Sequence, residues 1–140
     1  MAGLKAKRIK DNRKPTKQIG SVASENADTM PPVFAFEKMQ EGSGYSVSCC
    51  NADHQAAALK KIFMLSRMSW IEIQNAGRHG LGTEKIARSS IKAPIPASVT
   101  EDVTFLALRY NGKAPMVGYR DGRTFQVLFL DHTFSLYDHG

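Results

Sequence analysis

Cysteine is scarce in this chain: two residues in 140, and the two are neighbours, Cys49 and Cys50. Adjacent cysteines rarely bridge each other, and neither has another partner, which excludes a disulfide framework and a CxxC metal motif. The expectation is a reduced, cytoplasmic protein whose two thiols pack at a strand end. Long apolar runs are also lacking. No stretch approaches the length that spans a bilayer, and the first residues lack the apolar core of a secretory signal. No membrane partner is expected.

The body of the chain lacks a net charge, although the whole carries +6. Lys5, Lys7, Arg8, Lys10, Arg13, Lys14 and Lys17 stand against one acid, Asp11, which leaves 12 residues of each sign in the remainder. The basic signal therefore belongs to an arm, and residues 1–30 have the low hydrophobicity of mobile chain. Two readings of the arm stay open. It is a solvated leader, or it contacts phosphates with an affinity that falls steeply with salt. Residues 31–140 suit a single domain.

What is present begins at Pro31-Pro32. VFAFEKM alternates like a strand, and YSVSCC reads as a second one. Asn51 and Asp53 are N-cap types for a helix over HQAAALKKIFMLSRM, with Ala56, Leu59, Ile62 and Phe63 on its apolar stripe. Ser69 and Glu72 match a capping box, so a second helix starts at once, with Trp70 and Ile73 toward the core and Gly77 at its end. Met64, Met68 and Trp70 are core candidates that would otherwise serve a partner helix. GRHGLGTEK is glycine-rich but lacks a P-loop ending, and reads as a loop. Pro94 and Pro96 mark an extended connector.

The last third is the clearest. VTFLALRY, PMVGYR and RTFQVLFLD are separated by Asn111-Gly112 and Asp121-Gly122, the dipeptides of two-residue hairpins in which both central residues take positive φ. Val127–Leu130 is apolar on both faces, so this strand should be covered on each side. The fold expected is α+β: N-terminal strand or strands, an α-hairpin, then a three-stranded antiparallel meander, with the helices on one sheet face.

The chain closes on LFLDHTFSLYDHG, where Asp-His occurs twice. Asp131, His132, Asp138 and His139 are ligand types for zinc or manganese. In extended chain, however, a separation of seven places His132 and His139 on opposite faces, which favours acid/base use over a metal site. No metal or cofactor is expected. Arg109, Arg120 and Arg123 lie on or beside the meander strands, either as solvated hairpin decoration or as a grip on a phosphate backbone.

FLALRY, MVGYR-DG-RTFQVLFLD and HTFSLYDHG together resemble the C-terminal half of the RelE/ParE/HigB-like toxin superfamily. The likeness covers residues 33–140 in architecture and 103–139 in sequence pattern. It implies a metal-independent endoribonuclease that cuts mRNA, often on the ribosome, and is neutralised by an antitoxin protein, without a small-molecule cofactor. It also implies roles. Arg109 and Arg120 would stabilise charge, His132 would be the acid, and Tyr137 or His139 the base; Tyr137 could also stack on a nucleobase. Arg123 and the arm would bind RNA. Two features depart from the family pattern: the body is neutral, and each terminal histidine has an aspartate beside it, which raises its basicity. The alternative is a non-catalytic nucleic-acid- or protein-binding module, a phage or plasmid accessory protein that uses its basic arm.

Overall fold

The computed structural model describes residues 26–77 and 83–139. The arm's lysines and arginines, and most of the glycine-rich loop, lie outside them. Among the described residues two α-helices, short 3₁₀ turns and a five-stranded mixed sheet make an α+β fold. Helix α1 spans Ala52–Leu65 and helix α2 spans Trp70–Asn75. The strands are β1 (Val33–Ala35), β2 (Glu84–Ile86), β3 (Phe105–Asn111), β4 (Ala114–Asp121) and β5 (Thr124–Leu130). Their order is β1-β5-β4-β3-β2, with β1 parallel to β5 and every other pair antiparallel. Among the described residues no helix is long and apolar enough to cross a membrane.

Local chemistry explains the helix boundaries. The Asn51 side chain accepts the His54 N–H at 2.9 Å and starts α1. The Ser69–Glu72 capping box is complete in both directions, and α2 stops just before Gly77, whose φ is +83°. Both hairpins form, but their register differs from the expected one. Asn111 pairs with Ala114 and Asp121 with Thr124, so the loop residues are Gly112-Lys113 and Gly122-Arg123. Only the first of each pair has positive φ, at 60° and 65°. The glycine supplies the turn, while Asn111 and Asp121 finish strands.

The sheet separates two apolar clusters. On the helix side, Leu106, Leu108, Met116, Phe125 and Val127 pack against Leu65, Trp70 and Ile73. On the other side Ala107, Val117, Leu128 and Phe129 are covered by connector and C-terminal residues, including Ala93, Val99, Leu136 and Tyr137. β5 is thus buried on both faces, as its unbroken apolar run requires. A bulge at Leu128 interrupts its pairing with β4, where Gly118 lies hard against the β5 backbone.

Two expected elements differ. YSVSCC forms bends and a 3₁₀ turn over Val47–Cys49 instead of a strand. The buried Ser46 hydroxyl accepts the Gly42 N–H at 3.2 Å and lies near the Ser48 hydroxyl and the Cys49 thiol, and this side-chain network takes the place of a ladder. The apolar stripe of α1 is also rotated. Ala58 and Leu65 are buried and Ile62 is half-buried, whereas Leu59 and Phe63 are 69% and 62% exposed. Lys61 turns inward with them, and burial pushes its ammonium pKa down.

Candidate functional site

The residues that follow β5 fold into a compact turn, not a strand end. Asp131 is fully buried. Its carboxylate accepts the Ser135 N–H at 2.7 Å, the Leu136 N–H at 3.1 Å and His139 Nε2 at 3.0 Å. A buried anion without such donors would be costly, so these bonds fix the path of the segment. Leu136 follows into the core, and its carbonyl accepts the Lys92 N–H at 2.8 Å. Phe134 takes a positive φ of 58°, a strained conformation for an aromatic residue. That turn lays its ring flat on His139, centroids 3.5 Å apart, while Tyr137 packs on the same imidazole at 4.0 Å.

His139 is therefore clamped. Its Nε2–H donates to a buried carboxylate, and Nδ1 has no hydrogen-bond partner among the described residues. An aspartate that holds one imidazole nitrogen and leaves the other as acceptor is the arrangement of an oriented general base.

A second group stands on the helix side. A bulge between Arg109 and Asn111 leaves Tyr110 without a pairing partner, and alternation from Leu106 and Leu108 puts it on the side of α1. Its hydroxyl lies 2.8 Å from His54 Nδ1. Burial raises the Tyr110 phenol pKa, with further contributions from Cys50 and from the charge of Asp131. The His132 ring stands edge-on to His54, centroids 6.1 Å apart. His132 Nε2 lies 2.9 Å from the Gly44 carbonyl, which can only accept, so that nitrogen carries the hydrogen.

The two Asp-His doublets do not pair within themselves. Asp131 holds His139 rather than His132, and Asp138 bonds Lys92 at 2.8 Å. The charge-assisted bond from Lys92 keeps the exposed Asp138 carboxyl below its usual range. Among the described residues no group of three or more His, Cys, Asp or Glu is arranged to hold a metal ion.

Arg109 belongs to the same end of the sheet. It pairs with Pro115, whose carbonyl accepts the Asp131 N–H at 2.9 Å. The Arg109 side chain is half-exposed and makes no hydrogen bond or ion pair among the described residues. Tyr137 is there too, but 5% exposed and within the loop-side core. Arg109, Tyr137 and His139 thus lie at the Asp131 end of the sheet, while the His132 side chain turns to His54 and the Gly44 carbonyl.

Arg120 is not among them. It lies five residues along β4 from Pro115, roughly 17 Å at the rise of a strand. Its guanidinium covers Trp70 at 4.3 Å, donates from Nε to the Gly122 carbonyl at 3.1 Å and bonds Asp28 at 2.7 Å. Arg123 is engaged as well: Nε donates to the Pro31 carbonyl at 2.9 Å, and its own carbonyl accepts from Trp70 Nε1 and Val33 N.

Sequence reading missed His54, Tyr110 and the role of Asp131. No local signal ties His54 to Tyr110, which is 56 residues away. The buried aspartate had a faint one, since Asp at the end of an apolar strand commonly receives the N–H groups of the turn after it. No family model, no curated protein and no solved structure matches this chain. The functional reading rests on the site's own chemistry.

Proposed function

We propose that the chain is a toxin-like, metal-independent endoribonuclease whose reaction takes place at the Asp131 end of the sheet. The observation that carries this reading is the clamp on His139, with one nitrogen bound to a buried carboxylate and the other without a hydrogen-bond partner among the described residues. In the reaction, His139 Nδ1 removes the proton of a ribose 2′-hydroxyl. The oxygen attacks the adjacent phosphorus, the bond to the 5′-oxygen breaks, and His132, acting as an imidazolium that keeps Nε2–H on the Gly44 carbonyl, gives its Nδ1 proton to that leaving oxygen. A 2′,3′-cyclic phosphate and a 5′-hydroxyl result. Arg109, half-exposed and unpaired among the described residues, meets the charge that develops on the phosphoryl oxygens. The exposed face of Phe134 offers a nucleobase a stacking surface. Tyr137 packs the clamp in place, and Arg120 is a structural staple with no part in the step.

The substrate in this reading is mRNA, free or on the ribosome, and the basic arm of residues 1–17 supplies electrostatic affinity. An antitoxin protein would have Leu59 and Phe63 on the outer face of α1 to cover. That same exposed pair favours the second reading, a protein-binding module without catalysis.

Purified full-length protein incubated with a mixed-sequence RNA in EDTA separates the two. Cleavage to 5′-hydroxyl ends is expected, reduced at least about 100-fold by His139→Ala and by His132→Ala if both act as acid/base groups. Intact RNA from folded wild-type protein, together with unchanged mRNA 5′ ends after induced expression in bacteria, leaves only the binding module.

A further inference from the structure

The opposite end of the sheet holds a cleft of about 610 Å³ that the reading above does not use. Its volume is typical of small-molecule sites. Three cations line it, Lys38, Lys85 and Arg120, against two carboxylates, Asp102 and Asp121. Strand pairing explains how they meet. Lys85 lies directly opposite Leu106, and Leu106 opposite Gly118, so Lys85 and Arg120 rise from the helix-side face of the sheet. Tyr119 points to the other face and carries Lys38, whose ammonium sits 5.9 Å from the ring centroid. The cleft wraps around the sheet end between the two faces.

Each cation is available in a different way. Arg120 is held by Trp70, Asp28 and the Gly122 carbonyl, which engage one face, Nε and Nη2 and leave Nη1 without a partner among the described residues. Such a guanidinium loses little side-chain entropy when it binds an anion. Lys38 stands over the Tyr119 ring, and the Tyr119 hydroxyl raises the pKa of its ammonium. Lys85 is exposed and makes no hydrogen bond or ion pair among the described residues. The exposed Asp102 carboxylate accepts the Thr100 hydroxyl, which lowers its pKa.

We propose that this cleft binds a small ribose phosphate, a free sugar phosphate or nucleotide. Lys85 and Arg120, on one face, take a dianionic phosphomonoester, and the two carboxylates take the hydroxyls of the sugar. Two cations on one face suit a doubly charged monoester better than the single charge of a phosphodiester. The carboxylates repel a bare polyphosphate but pair well with a diol. The site is separate from the acid/base end, so it stands or falls independently of the ribonuclease reading.

The test is an amide-resolved NMR titration of the full chain with ribose 5-phosphate, adenosine 5′-monophosphate, inorganic phosphate, ribose, and a short oligoribonucleotide without terminal phosphates. Saturable shifts at Lys38, Lys85, Asp102 and Tyr119–Asp121 are expected with the first two ligands. Phosphate should bind more weakly, and ribose not at all. Lys85→Ala should weaken ribose 5-phosphate binding about tenfold, the equivalent of one charge-assisted contact, while its spectrum elsewhere stays unchanged. Absence of localised shifts at millimolar ligand overturns the proposal. So does indifference to Lys85→Ala and Asp102→Asn alike. Inorganic phosphate binding as tightly as ribose 5-phosphate overturns the recognition of the sugar, and tighter binding of the oligoribonucleotide overturns the assignment to a free ligand.

Discussion

Asp131 and His139 are joined by a 3.0 Å bond from a ring nitrogen to a carboxylate that has no solvent exposure. The same two oxygens hold the N–H groups of Ser135 and Leu136, so the carboxylate organises the C-terminal turn and the imidazole together. Replacing it with an amide exposes that double duty. In Asp131→Asn one acceptor oxygen becomes an NH₂ donor that faces other donors, and a buried N–H loses its partner. The expected cost is about 2–4 kcal/mol, read as a lower urea midpoint. His139→Ala removes only one of the three bonds and should cost clearly less. Equal losses in the two variants would mean that the turn is held by something other than the carboxylate.

Gly118 is required for a different reason. A Cβ there would stand 1.8 Å from the backbone oxygen of Gln126 and 2.8 Å from its carbonyl carbon. Both are main-chain atoms of a central strand and cannot step aside singly. Gly118→Ala should therefore cost at least about 3 kcal/mol, or prevent folding. Gly112→Ala is the control. Its φ is +60° with open space around the site, so only the backbone conformation is penalised, by about 1 kcal/mol. Thermal unfolding of the two variants should separate them widely.

Tyr110 gives a pH dependence with a definite sign. Burial, helped by Cys50 and Asp131, raises its folded-state pKa above the ordinary 10.0. A raised pKa means that the unfolded chain loses the proton first, so the native state is favoured fully below pH 10 and less as the pH climbs beyond it. Stability measured by urea titration should fall across the alkaline range. Tyr110→Phe should flatten that fall, at a cost near neutral pH of about 1 kcal/mol for the lost bond to His54. An unchanged alkaline slope in the variant would place its origin elsewhere.

The neighbouring thiols should behave unequally. The Ser46 hydroxyl lowers the pKa of half-exposed Cys49, while burial raises that of Cys50. At neutral pH the more abundant and more accessible thiolate is that of Cys49. Brief treatment of native protein with iodoacetamide, followed by peptide mapping, should show Cys49 modified at least about tenfold faster. Comparable rates would mean that the Val47–Cys49 turn opens readily.

Signals that act within one turn of chain were legible in the sequence. The Ser69–Glu72 box, the Asn51 cap and the hairpin glycines each exert their effect on backbone a few residues away, and all of them form. Signals that depend on distant partners were not. Alternation in YSVSCC matches a strand, but the Ser46 hydroxyl accepts the Gly42 N–H and contacts the Cys49 thiol within a 3₁₀ turn instead. The candidate site shows the same division. Arg109, His132, Tyr137 and His139 could be named from residue type, yet Arg120 looked equivalent to Arg109 because distance along β4 is invisible without the pairing. Asp131 could be seen beside His132 but not reaching His139, since that contact needs the positive φ at Phe134.

The orientation of α1 follows the same logic and can be tested directly. Leu59 and Phe63, four residues apart, lie on its outer face, with Arg67 5.4 Å above the Phe63 ring. Leu65, two residues on, is 1% exposed in the helix-side core. Apolar residues occupy both faces, so periodicity alone cannot choose between them; the sheet surface chooses, and the Lys61 stem is buried as a consequence. Leu65→Ala should cost about 2–5 kcal/mol. Leu59→Ser with Phe63→Ser, by contrast, removes two large apolar side chains and should shift stability by no more than about 1 kcal/mol in total. If the double variant instead unfolds the protein as Leu65→Ala does, the helix is rotated from the arrangement described. If stability holds but binding to a partner is lost, the outer face of α1 is the surface that partner covers.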